Sequence, residues 1–428
     1  MSKARRQPEA FIDGHLLSPE SLMMSYDFDP ERSEGSVKPP LFLTSTFSKK
    51  TARELAELFR SFQGGRGVEK AKISDSLVYS RANNPNVQIF EKRLSLWDGA
   101  DDAAVFSSGM AAISTVSLAF LRPGDVLLHS EPLYGGTEIF FKEELRNFGI
   151  KTSSFPAGSS YTTISRAAKI ACQNGPLAMV YIEPLANPTN VFTDSQACAR
   201  LADAFSVKKR KTIFVADNTY LGPLWHNPLK YGADIVIYSA TKYLGGHSDI
   251  IAGAASGNAG IVAELKNIRT RLGTIASPFT CWLLTRSLET LKLRMTSQMK
   301  NARYVAKFLR DHPKTAKVYY PGFLDSSSDQ YRVYEQQCSA PGAMVSFDIK
   351  GGKRAAFKFL DALRFFKLAV SLGGTEPLAS HPATTTHSGI SEADRLRMGI
   401  TDSMIRLSVG LGSPDDYYVD LRQALNGA

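Results

Sequence analysis

Cysteine is scarce in this 428-residue chain, and no two cysteines form a C-x-x-C pair. The sequence therefore indicates neither a zinc site nor a disulfide framework. His381 and His387 lack the spacing partners of a metal site, so we interpret them as hydrogen-bonding or core histidines and predict no metal. We expect four buried thiols, at Cys172, Cys198, Cys281 and Cys338.

Long apolar runs are also missing. The longest, around residues 111–121, is interrupted by Ser and Thr and is shorter than the roughly 18 residues of a membrane-spanning helix. Residues 1–14 contain the basic residues of an export signal but no hydrophobic region after them. We therefore predict a cytoplasmic protein with a disordered N-terminal tail and no membrane partner.

Acidic residues are outnumbered, 41 against 51 Lys and Arg, which gives a net charge of +10. The basic residues are dispersed, and the two densest clusters, at 3–6 and 208–211, are short and lack interleaved aromatic residues. Such a distribution is typical of a solvated surface. The sequence predicts no nucleic-acid partner.

Hydrophobic residues make up 43% of the chain, enough for a large core and two domains. Residues 1–83 contain loop signals and little periodicity, which predicts an extended N-terminal arm; its contact with a neighbouring subunit is implied only by the resemblance described below. Across 84–290, short apolar runs alternate with helical patterns, which predicts an α/β domain with a mostly parallel sheet. Residues 291–428 mix strands and helices in an α+β layout, and one long helical pattern at 277–313 joins the two domains.

Ligands of an open α/β sheet bind at the carboxyl ends of its strands, so the polar residues there are candidates. After the apolar run at 103–106, Gly109 permits a tight turn, and a helix starting near Met110 offers free N–H groups to a phosphate. The alternative is an ordinary helix start. After the run at 177–183, Asn187 can present its amide to a ligand oxygen, or simply form an Asn-Pro turn.

Asp217 ends a buried apolar run, where a carboxylate is costly unless a positive group meets it. A protonated pyridine nitrogen would satisfy it, and a helix N-cap is the alternative. Lys242 follows the run at 234–239, and a partly desolvated lysine has a lowered pKa and forms imines readily. Ser239 and Thr241 can bond a phosphate while the lysine reaches an aldehyde. This combination predicts pyridoxal 5'-phosphate held as a Schiff base.

A series of motifs resembles the Cys/Met-metabolism family of pyridoxal-phosphate enzymes, the group that contains cystathionine γ-synthase, cystathionine lyases, methionine γ-lyase and the O-acylhomoserine sulfhydrylases. The resemblance extends from about residue 36 to the C-terminus. It implies a fold-type I transferase, with a mostly parallel sheet flanked by helices and a smaller C-terminal α+β domain. The motifs are YSRANNPN (79–86), SSGMAAI, EPLYGGT (131–137), EPLANPT (183–189), VADNTY, YSATKYLGGHSD, SLGGTEPLASHPATTTH (371–387) and IRLSVGL (405–411).

The resemblance implies a role for each candidate. Lys242 is the Schiff-base lysine and moves the Cα proton, and Asp217 pairs with the pyridinium nitrogen. Tyr134 stacks on the cofactor ring and acts as an acid or base near the leaving group. The other implied cofactor contacts are the Gly109 and Met110 amides and the Ser239 and Thr241 hydroxyls for the phosphate, and Asn187 for the phenolic oxygen.

Tyr79 and Arg81 resemble the pair that this family sends to the phosphate of the neighbouring subunit. The implied assembly is a homotetramer of two dimers that share active sites. Without the resemblance, a loop tyrosine and a solvated arginine would be the better interpretation. Arg406 interrupts an apolar strand, where a guanidinium needs a partner: either a substrate α-carboxylate held bidentate or a structural ion pair.

The implied substrate pocket gives conflicting signals. Val370 stands before Ser371 where cystathionine-handling enzymes typically have Glu, and an apolar residue there suits a thioether or small thiol. Gly136, however, stands where methionine γ-lyases commonly have Cys. Pro377 and Gly412 also depart from the family pattern.

These signals favour γ-elimination from methionine or a similar sulfur amino acid, with 2-oxobutanoate, ammonia and a thiol as products. Cystathionine γ-synthase or γ-lyase, and O-acylhomoserine sulfhydrylase with γ-replacement by a thiol, are the alternatives. A basic, non-catalytic binding protein on the same fold is an alternative of another class. It predicts loss of Lys242 or Asp217, and both are present.

Overall fold

The computed structural model describes residues 11–62, 77–208 and 210–428. The predicted arm at 1–83 and both basic clusters therefore lie partly or wholly outside the described residues. The strands are β1 (Phe11–Ile12), β2 (His15–Leu16), β3 (Asp102–Phe106), β4 (Val126–Glu131), β5 (Lys151–Pro156), β6 (Leu177–Ile182), β7 (Ile213–Asp217), β8 (Ile235–Tyr238), β9 (Gly253–Gly257), β10 (Thr315–Tyr319), β11 (Met344–Ile349), β12 (Lys367–Leu368), β13 (Leu378–Ser380) and β14 (Met404–Ser408). The helices are α1 (Pro19–Leu22), α2 (Ala52–Phe62), α3 (Pro85–Asp98), α4 (Gly109–Phe120), α5 (Gly135–Ile139), α6 (Leu145–Asn147), α7 (Tyr161–Ala171), α8 (Ser195–Phe205), α9 (Gly222–Trp225), α10 (Ala259–Leu272), α11 (Pro278–Leu288), α12 (Leu291–Asp311), α13 (Asp329–Gln337), α14 (Gly352–Ala362), α15 (Glu392–Arg397) and α16 (Pro414–Gly427).

Seven strands form the large sheet, in the order β3-β9-β8-β7-β6-β4-β5. The five strands from β8 to β5 run parallel, and β9 is antiparallel to both of its neighbours. Strands β4, β6, β7 and β8 are buried at every residue, as expected for a parallel sheet covered on both faces. The predicted mostly parallel sheet is confirmed.

Sequence periodicity missed strands β5 and β9. Strand β9 reads GAASG, whose small residues carry little of the β-branched signal that marks a buried strand. Close packing explains this composition, because a Cβ atom at Gly253 would collide with the carbonyl oxygen of Ser108. Strand β9 thereby fixes the turn that precedes helix α4.

The prediction of one continuous helical pattern across 277–313 is wrong, because two helices, α11 and α12, occupy this stretch. The chain leaves helical geometry at Thr290, where φ is −111° and ψ is 7°. Helix α11 packs on α3, beside the large sheet, whereas α12 continues onto β10 and β11. Because of the break, α11 packs beside the large sheet and α12 packs on the second sheet.

Five strands form the second sheet, in the order β10-β11-β14-β13-β12, with only the β12–β13 pair parallel. Helices α12, α14 and α16 pack around it. This confirms a smaller C-terminal α+β layer. The boundaries at residues 83 and 290 stay predictions.

The described part of the N-terminal region contains more regular structure than the sequence indicated, since it includes α1, α2 and the β1–β2 hairpin. Buried Arg93 on α3 fastens this region to the core by donating to the carbonyl oxygens of Met23 and Tyr26. Among the residues that the structure covers, no helix has the length and apolar character needed to cross a membrane.

The expectation of four buried thiols holds for Cys198 and Cys281 only. Cys172 and Cys338 are partly exposed, because each lies just after the end of a helix, at the edge of its packed face. Burial raises the pKa of all four thiols. They are poor nucleophiles in this environment.

Candidate active site

Lys242 lies in the turn after β8, and its Nζ donates a hydrogen bond to Ser371 Oγ at 2.7 Å. Burial, with a smaller contribution from the charge of Arg406, lowers the pKa of Lys242 to about 8. In the described chain no carboxylate lies within ion-pair distance of this amine. A lysine in this state can act as a nucleophile and a base near neutral pH.

Ser371, the partner of Lys242, comes from the loop between β12 and β13 of the second sheet. Its φ of 99° is a left-handed conformation that a non-glycine residue adopts only under constraint. The constraint comes from both sides of the residue: its hydroxyl binds Lys242, and its carbonyl oxygen accepts from Arg406 Nη2 at 3.2 Å. Ser371 therefore joins the lysine to the arginine.

Asp217 is the last residue of β7 and is only 8% exposed. Its Oδ1 accepts the N–H of Thr219 at 3.1 Å and the hydroxyl at 2.5 Å, and its Oδ2 accepts the Tyr181 hydroxyl at 3.0 Å. Burial outweighs these bonds and raises the pKa of Asp217. The N-cap alternative does not apply, because the next helix begins only at Gly222. No cation within the described residues pairs with this carboxylate, so it can receive a charged N–H from a ligand.

The predicted phosphate cradle is the start of helix α4. Ser108 caps the helix by accepting the Ala111 N–H at 3.0 Å, while the N–H groups of Gly109 and Met110 have no acceptor in the described chain. A Cβ atom at Gly109 would lie 3.0 Å from the Cβ of Ser239, so glycine lets Ser239 approach the free amides. Free amides, the helix dipole and a hydroxyl together suit an anion.

The hydroxyl of Thr219 connects the cradle to the buried carboxylate. It donates to Asp217 and accepts the N–H of Ser239 at 2.8 Å. Thr241, by contrast, donates its only hydroxyl proton to the carbonyl oxygen of Ala252 at 3.2 Å and accepts the Ala252 N–H at 3.0 Å. A bond from Thr241 to a phosphate would therefore require its hydroxyl to rotate.

Arg406 lies in the middle of β14 and is 3% exposed. Its Nη1 donates to Asn187 Oδ1 at 3.0 Å and to the Tyr220 hydroxyl at 3.2 Å, and its Nη2 donates to the Ser371 carbonyl. All these acceptors are neutral. Because no described carboxylate pairs with Arg406, the ion-pair alternative has no partner there. A buried guanidinium with neutral neighbours suits an incoming carboxylate.

Tyr134 is 44% exposed at the start of helix α5. It is far from Lys242 in the sequence but is connected to Arg406 by hydrogen bonds through Glu183 and Asn187. Its backbone N–H donates to Glu183 Oε1 at 2.5 Å, and the Asn187 N–H donates to Glu183 Oε2 at 3.3 Å. A Cβ atom at Gly136 would lie 2.7 Å from the Tyr134 Cε1 atom. The glycine therefore lets the tyrosine ring lie against the backbone.

Tyr79 and Arg81 are exposed and contact each other, and Arg81 binds helix α10 rather than the cradle. The Arg81 guanidinium lies 5.6 Å from the Tyr79 ring centroid, and its Nη1 donates to the Thr270 carbonyl at 2.5 Å. Neither side chain hydrogen-bonds Gly109 or Ser239 within the described part of this chain. The structure does not bring this pair into its own site.

The positions of the predicted substrate pocket lie in the second sheet and its loops. Val370 is 56% exposed beside Ser371. Pro377 is buried, and its carbonyl accepts the Lys367 N–H at 3.1 Å. Gly412 donates its N–H to the Tyr417 hydroxyl at 2.7 Å, which occupies the space of a side chain at 412.

Both histidines of the SHPATTTH motif are buried and hydrogen-bonded. His387 contacts the carbonyl of Leu133 at 3.2 Å and the Thr386 hydroxyl at 2.8 Å, and burial lowers its pKa to about 4. His381 contacts the Thr384 hydroxyl and the Asp402 carbonyl, each at 2.9 Å. His387 thus attaches its loop to the segment that carries Tyr134.

Sequence reasoning missed four residues of this network: Thr219, Tyr220, Tyr181 and Glu183. Glu183 follows a buried apolar strand, which is the signal that identified Asp217, and burial and the charge of Asp217 raise its pKa. Thr219 stands two residues after Asp217, a spacing at which a hydroxyl and an amide commonly bond a carboxylate. Both signals were present in the sequence. The tyrosines are recognisable only from their contacts.

Comparison with known proteins agrees with this geometry. The sequence model of the family described as "Cys/Met metabolism PLP-dependent enzyme" matches residues 20–426. L-methionine γ-lyase of Pseudomonas putida is 36% identical over 405 residues, covering 94% of this chain and 96% of that protein. Cystathionine γ-lyase of Homo sapiens is 37% identical over 403 residues, covering 94% and 91%.

Solved structures show the same likeness. Cystathionine γ-synthase from Xanthomonas oryzae pv. oryzae, in complex with aminoacrylate and cysteine, superimposes with a TM-score of 0.84 at 31% identity, covering 96% of this chain and 98% of that one. Sequence and fold thus lead to the same family over nearly the whole length. This chain belongs to the family of pyridoxal-phosphate-dependent enzymes of cysteine and methionine metabolism.

Proposed function

We propose that this enzyme catalyses γ-elimination from a sulfur-containing amino acid, with methionine as the first substrate, releasing a thiol, 2-oxobutanoate and ammonia. The observation that carries the proposal is that Ser371 hydrogen-bonds both residues, Lys242 through its hydroxyl and Arg406 through its carbonyl oxygen. It sets an amine with a pKa of about 8 beside a buried guanidinium that has only neutral partners. One substrate can be bound through its carboxylate and deprotonated at the adjacent carbon by this pair.

The residues present fit pyridoxal 5'-phosphate. Asp217 is a buried carboxylate without a cation in the described chain, as a ring N–H requires. The free amides at Gly109 and Met110, next to Ser239, fit the phosphate. Lys242 is buried at this edge of the sheet, and its pKa of about 8 suits the amine for covalent attachment. When bound, the cofactor supplies an electron sink for the charge that develops at the substrate Cα.

Arg406 binds the substrate carboxylate through its two Nη atoms: Nη1 exchanges its bond to the Tyr220 hydroxyl for one to the carboxylate, while Asn187 and the Ser371 carbonyl fix the plane of the guanidinium. Lys242 Nζ then accepts the Cα proton, which its lowered pKa permits near neutral pH. Ser371 Oγ holds the amine on the side of the guanidinium during this transfer.

Tyr134 completes the site as the acid that protonates the leaving sulfur from its hydroxyl. Its ring is half-exposed, so the hydroxyl can reach a substrate, while Glu183 fixes its backbone. The same carboxylate holds the backbone of Asn187, which orients Arg406. Glu183 therefore sets the distance between the carboxylate-binding end and the leaving-group end of the site.

Cleavage of cystathionine is the second candidate, and Gly136 favours it. A Cys side chain, the mark of methionine γ-lyases at this position, does not fit without displacing the Tyr134 ring. Val370 favours the first candidate, because an exposed apolar side chain beside Ser371 suits a methyl thioether better than a charged distal group. The human relative acts, by its name, as a cystathionine γ-lyase.

The proposed assembly is a homotetramer of two dimers. Tyr79 and Arg81 are exposed and contact each other, so a second copy can receive them at its phosphate cradle. A phosphate with two negative charges suits an arginine better than the single Thr270 carbonyl that Arg81 binds here. Residence in the cytoplasm stays a prediction from the sequence.

Substrate profiling tests the proposal. Purified enzyme is incubated with methionine, cystathionine and O-acyl-homoserines, each with and without a thiol, and keto acids, ammonia and amino acids are quantified. We expect 2-oxobutanoate and ammonia, fastest from methionine. Lys242→Ala should lower turnover by about 1,000-fold or more, whereas exposed Lys230→Ala should not. Full turnover by Lys242→Ala would refute the role assigned to this lysine.

A further inference from the structure

Helix α12 buries three polar side chains: Arg294, Gln298 and Asn301. Their spacing of four and three residues places them in one stripe along the helix, which we call the polar stripe. Polar groups in an interior must find hydrogen-bond partners, because burying them unpaired is costly. Each of the three finds its partner in backbone carbonyls outside the helix.

Arg294 hydrogen-bonds the turn after β8 that contains Lys242, which we call the lysine turn. Its Nη1 donates to the carbonyl of Tyr243 at 2.8 Å, the residue next to Lys242, and its Nη2 donates to Ser287 at 2.8 Å. A Cβ atom at Gly246 would collide with the guanidinium, so the lysine turn is shaped to admit it. The arginine fits into the turn rather than lying over it.

Gln298 holds the loop of Ser371. Its Nε2 donates to the Gly374 carbonyl at 2.6 Å. This loop also touches the lysine turn directly, since a Cβ atom at Gly373, where φ is 75°, would lie 2.8 Å from the Tyr243 nitrogen. Gln298 therefore binds the loop of Ser371, which we call the serine loop, at the place where it packs against the lysine turn.

Asn301 holds the segment that follows β14, the strand of Arg406. Its Nδ2 donates to the Gly410 carbonyl at 3.1 Å and to the Gly412 carbonyl at 2.9 Å. Gly410 in turn packs on the carbonyl of Thr375, in the serine loop. The lysine turn, the serine loop and the segment after β14 thus contact one another, and all three accept hydrogen bonds from helix α12.

We propose that Arg294, Gln298 and Asn301 are positioning residues, through which helix α12 fixes the amine, its serine partner and the carboxylate-binding guanidinium relative to one another. The inference rests on the proposed function for the groups that are positioned. Within the described chain, the four site carbonyls that the stripe binds, at Tyr243, Gly374, Gly410 and Gly412, have no other hydrogen-bond donor. Loss of a stripe residue therefore leaves its carbonyl partner without a donor and loosens the segment, which keeps only its bonds to the other site segments.

The first test measures amide hydrogen exchange in the cofactor-free protein. Gln298→Met should speed exchange in segment 371–376 by about tenfold, because the loop loses its hydrogen bond to the helix. Asn301→Leu should do the same in segment 408–412. Buried Val305 lies on the same helix, four residues after Asn301, and its apolar side chain donates no hydrogen bond to either segment, so Val305→Ala is the matched destabilised control and should leave both rates unchanged.

The second test measures the pH dependence of the rate at which added pyridoxal 5'-phosphate attaches to Lys242. Attachment needs the neutral amine, so in the wild type the rate rises through pH about 8, the pKa that burial and Arg406 give the lysine. Freed segments admit water and let the guanidinium move away, so the pKa and the midpoint should rise by about one unit in Gln298→Met and Asn301→Leu. Val305→Ala should keep the wild-type midpoint.

A midpoint that moves in both stripe variants and not in the control supports positioning. Unchanged midpoints, or an equal shift in Val305→Ala, would show that the stripe is merely structural. If Gln298→Met does not fold, Gln298→Leu also removes the donor without adding a charge and is interpreted in the same way. Neither test uses a substrate, so an enzyme that binds the cofactor but ignores sulfur amino acids would refute the proposed function alone.

Discussion

The two sides of the candidate site are built differently. The cofactor side consists of Asp217, the helix start at Gly109 and the turn after β8, each within a few residues of a strand of one parallel sheet. The substrate side consists of Ser371 and Arg406, which a second sheet contributes and helix α12 holds. A side built on the strand ends of one sheet follows from the sheet itself. A side built from two layers depends on the contacts between them.

Asp217→Asn should break the cofactor side alone and give the largest effect. An amide cannot supply the negative charge that a protonated ring nitrogen needs, so we expect kcat to fall about 100-fold or more. Initial rates of 2-oxobutanoate formation at saturating substrate measure this. Asp203→Asn, at an exposed carboxylate on helix α8, is the control. Wild-type kcat in Asp217→Asn would show that no charge is needed at this position.

Arg406→Lys should break the substrate side alone. A lysine keeps the charge but loses the fork that binds Asn187 and the Ser371 carbonyl, so we expect KM to rise about 10- to 100-fold, with a smaller loss of kcat. The dissociation constant of an unreactive amino acid should rise in parallel. Exposed Arg354→Lys, on helix α14, should change neither constant. A loss confined to kcat would place the guanidinium elsewhere in the mechanism.

Gly136→Ala should have the smallest effect of the three substitutions, because Gly136 lies next to Tyr134, at the leaving-group end of the site. The new methyl group displaces the Tyr134 ring, so we expect kcat to fall about fivefold to tenfold, with the free energy of unfolding lowered by about 1 kcal/mol. Rates with methionine and with cystathionine should be compared. Gly260→Ala, where a Cβ atom meets nothing closer than 3.5 Å, is the control. Equal rates in Gly136→Ala and wild type would show that the ring has room to spare.

The same division governs what the sequence could predict. Lys242 and Asp217 are polar residues at the ends of buried apolar runs, and the cost of burying them makes them visible without a structure. The parallel strands were visible for the same reason. Glu183 and Thr219 carried comparable local signals, and a stricter accounting of strand ends would have found them.

The remainder could not be predicted, because it depends on contacts between distant segments. The bond between Lys242 and Ser371 joins residues 129 positions apart, and no local pattern encodes it. The break at Thr290 arises because α11 and α12 pack on different layers, while the helical periodicity continues through it. The sequence leaves the hydroxyl of Thr241 available for a phosphate, but in the structure it donates its hydrogen bond to the carbonyl oxygen of Ala252.

The most direct measurement is the site of covalent attachment of the cofactor. The purified enzyme, loaded with pyridoxal 5'-phosphate, is reduced with borohydride, digested and mapped by mass spectrometry. We predict that the pyridoxyl group is found on the peptide containing Lys242, and that the Lys242→Ala protein carries no such label. A label on another lysine, or wild-type protein that takes up the cofactor without becoming labelled, would contradict the account.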